Sequence, residues 1–104
     1  MVAFTKSKLS SRAKFALGSM VMTRSVAAMI EGGELGHDEV LLMLSRHVRG
    51  DWGDVCAADA KENELSLRRG FRLLSSYASR GGVKLWVIAE ADRSATTVLL
   101  PSDY

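Results

Sequence analysis

Between residues 71 and 100 the hydrophobic period of the chain changes from helical to two, and only short polar interruptions divide the stretch. Phe71, Leu73, Ser75 and Tyr77 alternate with Arg72, Leu74, Ser76 and Ala78, and Gly81 and Gly82 supply a hairpin turn. Residues 83–90 are rich in β-forming side chains. Ala91, Asp92, Arg93 and Ser94 form a second polar turn, and residues 95–100 a third strand that Pro101 ends. Turns this short join only antiparallel neighbours, so the pattern predicts a three-stranded antiparallel meander in chain order. Trp86 and Ile88 fall on one face of it, Leu85 and Val87 on the other. Apolar residues therefore occupy both faces, and a face left bare by the rest of the chain becomes a contact surface for a partner or a second copy.

The residues before the meander supply the cover. Val26, Met29 and Ile30 share a helical face over 26–31, with Thr23 or Ser25 as N-cap and Gly32 and Gly33 as the stop. Val40, Leu41, Leu44 and Val48 follow helical spacing from His37 or Asp38 up to Gly50. A third helix is predicted from Asp59, with Glu62 in the position a capping box wants, to Gly70, a residue suited to a left-handed stop. Residues 15–23 read as a short extended segment. The expected fold is α+β: about three helices packed on the meander, with room for an additional N-terminal strand.

At 104 residues the chain fits one domain, and 47% hydrophobic with 25% charged residues places it outside the composition of disorder. Residues 1–14 form a basic arm holding Lys6, Lys8, Arg12 and Lys14, and residues 15–104 the α+β domain. A net charge of +2 is too small by itself to demand a nucleic-acid or membrane partner. A lone Cys56 excludes an internal disulfide and a cysteine-based zinc site and fits a reducing compartment, so a cytoplasmic location is expected. Its neighbours Val55 and two alanines suggest a buried, inert thiol. No apolar run is long enough to span a bilayer.

Two polar clusters carry whatever chemistry the sequence offers. In the first, Arg46, His47, Asp51, Trp52 and Asp54, a catalytic or metal-binding reading pairs His47 with Asp51 or Asp54. The structural reading has His47 capping helix carbonyls, Asp51 accepting backbone hydrogen bonds in a tight turn and Trp52 filling the core. The structural reading is preferred, because the spacing matches no metal-ligand pattern. His37 would also stand roughly 15 Å from His47 along one helix at 1.5 Å per residue. The second cluster, Asp92 and Arg93 beside Glu90, has the composition of a cation or phosphate site and equally of an ordinary turn. No catalytic triad, phosphate loop or cofactor fingerprint is present, so no catalytic residue, metal or cofactor is expected.

Several strings in order carry a resemblance: Leu44-Ser45-Arg46-His47, then Gly50-Asp51-Trp52-Gly53-Asp54, Asp59 with Glu62-Asn63-Glu64, Gly70-Phe71-Arg72-Leu73-Leu74-Ser75, and Glu90-Ala91-Asp92-Arg93-Ser94. Their order and spacing resemble a family of small bacterial plasmid-related, mobile-element proteins often labelled type I restriction subunits. Arg24-Ser25 and Ala89 depart from the family pattern, which tends to Pro-Gly and Thr there. The resemblance implies residence on plasmids, prophages and related elements, and brings no defined reaction.

Small size, lack of a catalytic set and this resemblance point to a non-catalytic protein that binds and inhibits a host defence complex, of anti-CRISPR or anti-restriction type. The candidate contact residues are Lys6, Lys8, Arg12, Lys14, Arg68, Arg69, Arg72, Trp86 and Ile88. The basic residues among them also fit a nucleic-acid-binding regulatory role, and a His/Asp-dependent enzyme is the third alternative. A homodimer is compatible with the exposed face.

Overall fold

The computed structural model describes residues 2–3, as backbone, and residues 13–104. Lys6, Lys8 and Arg12 of the basic arm lie outside the described residues. Helices α1 (Arg24–Glu31), α2 (His37–Val48) and α3 (Ala57–Arg69) accompany strands β1 (Val2–Ala3), β2 (Ser19–Met22), β3 (Leu73–Ala78), β4 (Lys84–Ala89) and β5 (Ala95–Leu99). A short 3-10 turn, Pro101–Asp103, follows β5. The meander forms as its turns dictate, with β3 antiparallel to β4 and β4 antiparallel to β5.

The sheet is larger and mixed, which corrects the three-stranded expectation. Among the described residues its order is β1-β2-β5-β4-β3, and β2 runs parallel to β5, with Val21 opposite Thr97. A parallel neighbour needs a long crossover, and here everything from α1 to β4 lies between the two strands. Turn lengths therefore carry no signal for that pairing. The extended segment expected at residues 15–23 narrows to a strand at its end, Ser19–Met22.

Register sorts the side chains into two faces. Val26 of α1 and Val40, Leu44 and Val48 of α2 pack on Tyr77, Leu85, Val87 and Val98, forming the main core. Most of these are fully buried, and each large aliphatic side chain removed from water contributes about 1.5–3 kcal/mol. Thr23 caps α1, its Oγ1 accepting from the Val26 amide at 3.4 Å, and Gly70 ends α3 with φ of 73°.

Helix α3 departs from expectation at its start and in its placement. It begins at Ala57 with Cys56 as the N-cap, so Asp59 lies inside the first turn, where it complements the helix dipole without capping. Cys56 is exposed, not buried, because that N-cap position faces solvent. The helix flanks the edge of β3. Its Asn63 amide donates to the Leu74 carbonyl at 2.7 Å and accepts from the Leu74 amide at 3.1 Å, standing in for the missing next strand. Asn63 is 4% exposed, so removing its side chain strands two backbone groups away from water. Asn63→Ala is expected to cost about 2–3 kcal/mol. Urea unfolding measures the loss, and Asn63→Asp, which keeps only the acceptor, should fall between the two.

Candidate functional site

The loop after α2 covers the next part of the same edge. Ser76 accepts from the Asp54 amide at 2.7 Å and donates its own amide to the Trp52 carbonyl at 3.1 Å. Asp51 is held by its neighbours: Arg46 donates to it from Nε at 2.7 Å and from Nη2 at 3.3 Å, and the Gly53 amide donates at 3.2 Å. The Arg46 hydrogen bond keeps the Asp51 carboxyl below the usual range. The Arg46 guanidinium also stacks 4.6 Å from the centre of the Tyr77 ring, whose hydroxyl donates to the Asp51 carbonyl. Trp52 is buried and donates its indole N–H to Glu64 at 2.8 Å, which ties the loop to α3.

His47 does not cap helix carbonyls, as its place in the last turn of α2 suggested. Its ring is fully buried, with Nδ1 hydrogen-bonded to Ser75 Oγ on β3 and Nε2 without a partner among the described residues. Phe15 and Trp52 meet it edge-on, with ring centres 5.2 and 5.7 Å away. Burial pushes its pKa down to about 3, and the charge of Arg93 acts in the same direction. The catalytic pairing of His47 with Asp51 or Asp54 is therefore not assembled: the imidazole bonds Ser75 and the Asp51 carboxylate bonds Arg46.

The second cluster is likewise bonded within the chain, although Asp92 itself is exposed. Asp92 accepts from the Ser94 amide at 2.9 Å, which closes the turn. Arg93, the one non-glycine residue with positive φ (60°) among the described residues, sends its guanidinium back across the fold. It donates to the carbonyls of Phe71 at 2.7 Å, Glu90 at 3.0 Å, Ala91 at 3.3 Å and Ser66 at 3.1 Å. One side chain thus joins the end of α3, the entry to β3 and the β4–β5 turn. Among the described residues no group of three or more His, Cys, Asp or Glu side chains is arranged to hold a metal ion. None of the described helices is long and apolar enough to cross a membrane.

The other face of the sheet is covered only in part, with Trp86 half-buried and Ile88 7% exposed. The register places Leu74 opposite Ile88, Ser76 opposite Trp86, and Ile88 opposite Thr97, so the two aromatic and aliphatic candidates of β4 share that face. Between it and α3 lies a groove of about 400 Å³. Leu74, Trp86 and Ile88 form its floor, Asp59, Glu62, Asn63 and Ser66 its helical wall, and Phe71, Arg72 and Tyr104 the rest of its rim. Phe71 is 50% and Tyr104 73% exposed, large apolar surfaces to leave in water.

The C-terminal turn positions that rim. The Asp103 carboxylate accepts from Thr23 Oγ1 at 2.7 Å, Ser25 Oγ at 2.8 Å and the Leu100 amide at 2.9 Å, and the Thr23 bond holds its pKa below the usual range. Tyr104 then meets Trp86 edge-on at 5.8 Å and accepts from Arg72 Nη1 at 3.2 Å.

Of the sequence-derived contact residues, Trp86, Ile88 and Arg72 come together in the groove. Arg68 and Arg69 are exposed at the end of α3, outside the groove lining. Lys14 lies against Gly50 after α2, its amide donating to the Val48 carbonyl at 2.7 Å. Asp59, Glu62, Phe71 and Tyr104 line the groove without having been among the contact residues expected from the sequence. The helical spacing of Asp59, Glu62, Asn63 and Ser66 was the available signal for the wall, whereas no pattern announced that the chain end returns to the sheet. Comparison of the chain with protein-family models, curated proteins and solved structures returns no match.

Proposed function

We propose that this chain is a small non-catalytic binding protein that engages a protein partner through the groove lined by Trp86, Ile88, Phe71 and Tyr104. The observation that carries the reading is an apolar, aromatic groove on a face that the helices α1 and α2 do not cover. The histidine and the charged loops that an enzyme would use are spent on internal bonds. The resemblance to mobile-element proteins supplies the partner class: a host defence complex of CRISPR or restriction type, inhibited by occlusion.

The test is capture of purified CRISPR and restriction complexes by the tagged chain, with nuclease present. Phe71→Ser and Trp86→Ala are expected to reduce capture about tenfold or more, as loss of a central aromatic anchor does. Phe71 is half exposed, so its variant removes little buried surface, and urea unfolding checks that it folds. Capture by neither complex, or capture untouched by both variants, sinks the proposal.

Nucleic-acid binding is the second reading, favoured by the exposed guanidiniums of Arg68 and Arg69 at the end of α3. It calls for a mobility shift with DNA or RNA that falls steeply with salt and is lost in Arg68→Ala/Arg69→Ala. A shift that is absent at low salt removes it.

A further inference from the structure

We infer that the occupant of this groove is a basic segment of a protein partner, one lysine or arginine side chain lying over Trp86 and Ile88 with its charge toward Asp59 and Glu62. The inference rests on the groove being the binding face and adds the chemistry of what fills it.

The helical wall is built from positions i, i+3, i+4 and i+7 of α3, which share one side of a helix. The inner pair is occupied by the fold: Asn63 bonds the Leu74 backbone, and the Ser66 carbonyl accepts from Arg93. The outer pair, Asp59 and Glu62, consists of exposed carboxylates that make no ion pair among the described residues. Toward the other end of α3 the one cation of the lining is already matched. Arg72 lies 3.9 Å from Glu90, donates to the Tyr104 hydroxyl at 3.2 Å and sits 5.9 Å from the centre of that ring.

Negative charge is therefore unmatched at one end of the groove and positive charge is satisfied at the other. Between them lies an apolar floor with a half-buried indole. A lysine or arginine side chain answers both demands, because its methylene stem covers apolar surface while its head group seeks a carboxylate. The indole face adds attraction for a passing cation. A phosphate backbone would meet the same two carboxylates as repulsion, and an acidic peptide likewise. The volume lies within the range of about 300–1,000 Å³ usual for ligand pockets.

The test uses the full ¹⁵N-labelled chain and two acetylated, amidated pentapeptides, Leu-Lys-Leu-Arg-Leu and Leu-Glu-Leu-Asp-Leu. The two tryptophans report separately, because Trp86 lines the groove while Trp52 is buried and bonded to Glu64. The basic peptide is expected to move the Trp86 indole signal and leave that of Trp52 in place. Asp59→Asn/Glu62→Gln, both at exposed positions, should weaken it about fivefold, the sum of two exposed ion pairs. The acidic peptide should bind at least as weakly as that variant binds the basic one.

Equal affinity for the two peptides, no loss in the double variant, or no Trp86 response to the basic peptide at about 1 mM overturns the inference. The capture assay separates the two levels. Capture lost in Phe71→Ser and unchanged in Asp59→Asn/Glu62→Gln leaves the binding face standing and removes the basic occupant, whereas capture unchanged in both removes both.

Discussion

Acidification from pH 7 to pH 5 is expected to cost the folded chain about 2 kcal/mol through His47 alone, far above what one surface histidine contributes. Burial lowers its pKa from 6.5 to about 3. Between those values the unfolded chain binds a proton that the folded chain refuses, so stability falls as pH falls, by about 1.4 kcal/mol per pH unit. The loss begins near the unfolded pKa and ends near the folded one. Asp51, Asp92, Asp103 and Glu39, whose carboxyl pKa values are also held low, lose stability in the same direction, but from ordinary values of 3.8 for the aspartates and 4.5 for Glu39. The interval from pH 6.5 to 5 therefore lies above the range in which these carboxyls act, and His47→Gln identifies the part that belongs to His47. Urea unfolding at pH 7, 6 and 5 reads the slope, and His47→Gln, which cannot titrate and can still bond Ser75, should flatten it. A slope that survives in His47→Gln would mean the acid sensitivity lies elsewhere.

The same variant bears on the enzymatic alternative. A catalytic histidine can be replaced with little change in stability, whereas this one fills a box made by Phe15, Trp52 and Ser75. His47→Ala is accordingly expected to cost several kcal/mol in core packing, of the order of about 3. Its place in the last turn of α2 suggested a helix cap because sequence position alone does not say toward which neighbour a side chain turns. The apolar spacing of Val40, Leu44 and Val48 named the buried face of α2, and His47 lies beside Val48 and three residues from Leu44 on that face. A buried histidine was thus readable from the helical period once charge was set aside.

The legible parts of the fold are those governed by neighbours in sequence. The β3–β4–β5 meander follows from two short turns, and α1 and α3 stop ahead of Gly33 and Gly70, whose φ of 81° and 73° glycine tolerates. The parts that were not legible depend on distant segments. The pairing of Ser19–Met22 with β5, the return of Tyr104 to Trp86 and the four carbonyls gathered by Arg93 all join residues far apart in the chain. The candidate site follows the same division. Alternation in β4 placed Trp86 and Ile88 on one face, but which face is covered only in part is decided by where α1, α2 and α3 dock.

Gly53→Ala is expected to cost about 4 kcal/mol, a large loss for one added methyl group. Gly53 sits at φ of 71° and bridges β3 at Ser76, and an added Cβ would fall inside contact distance of the Ser76 carbonyl and 2.6 Å from Tyr77 Cδ1. The left-handed backbone costs a non-glycine residue about 1–2 kcal/mol. The remainder comes from Ser76: a side chain can swing aside, but this carbonyl is fixed in the sheet and accepts from Asp54. Relief requires the loop to lift, which breaks two edge hydrogen bonds worth about 1 kcal/mol each and withdraws Trp52 from Phe15 and His47. Gly33→Ala is the control, since Gly33 has φ of 81° and nothing within 4 Å of an added Cβ. It should lose only the backbone term. Urea midpoints compare the two variants, and equal losses would show that backbone conformation, not the loop's seat on β3, sets the cost. Lifting the loop also bares the outer edge of β3, so the Gly53→Ala chain that remains folded should self-associate on size-exclusion, as unpaired strand edges do. The loop that the sequence marked as a polar cluster is in this way the guard of the sheet edge, and the groove on the adjoining face depends on that edge staying closed.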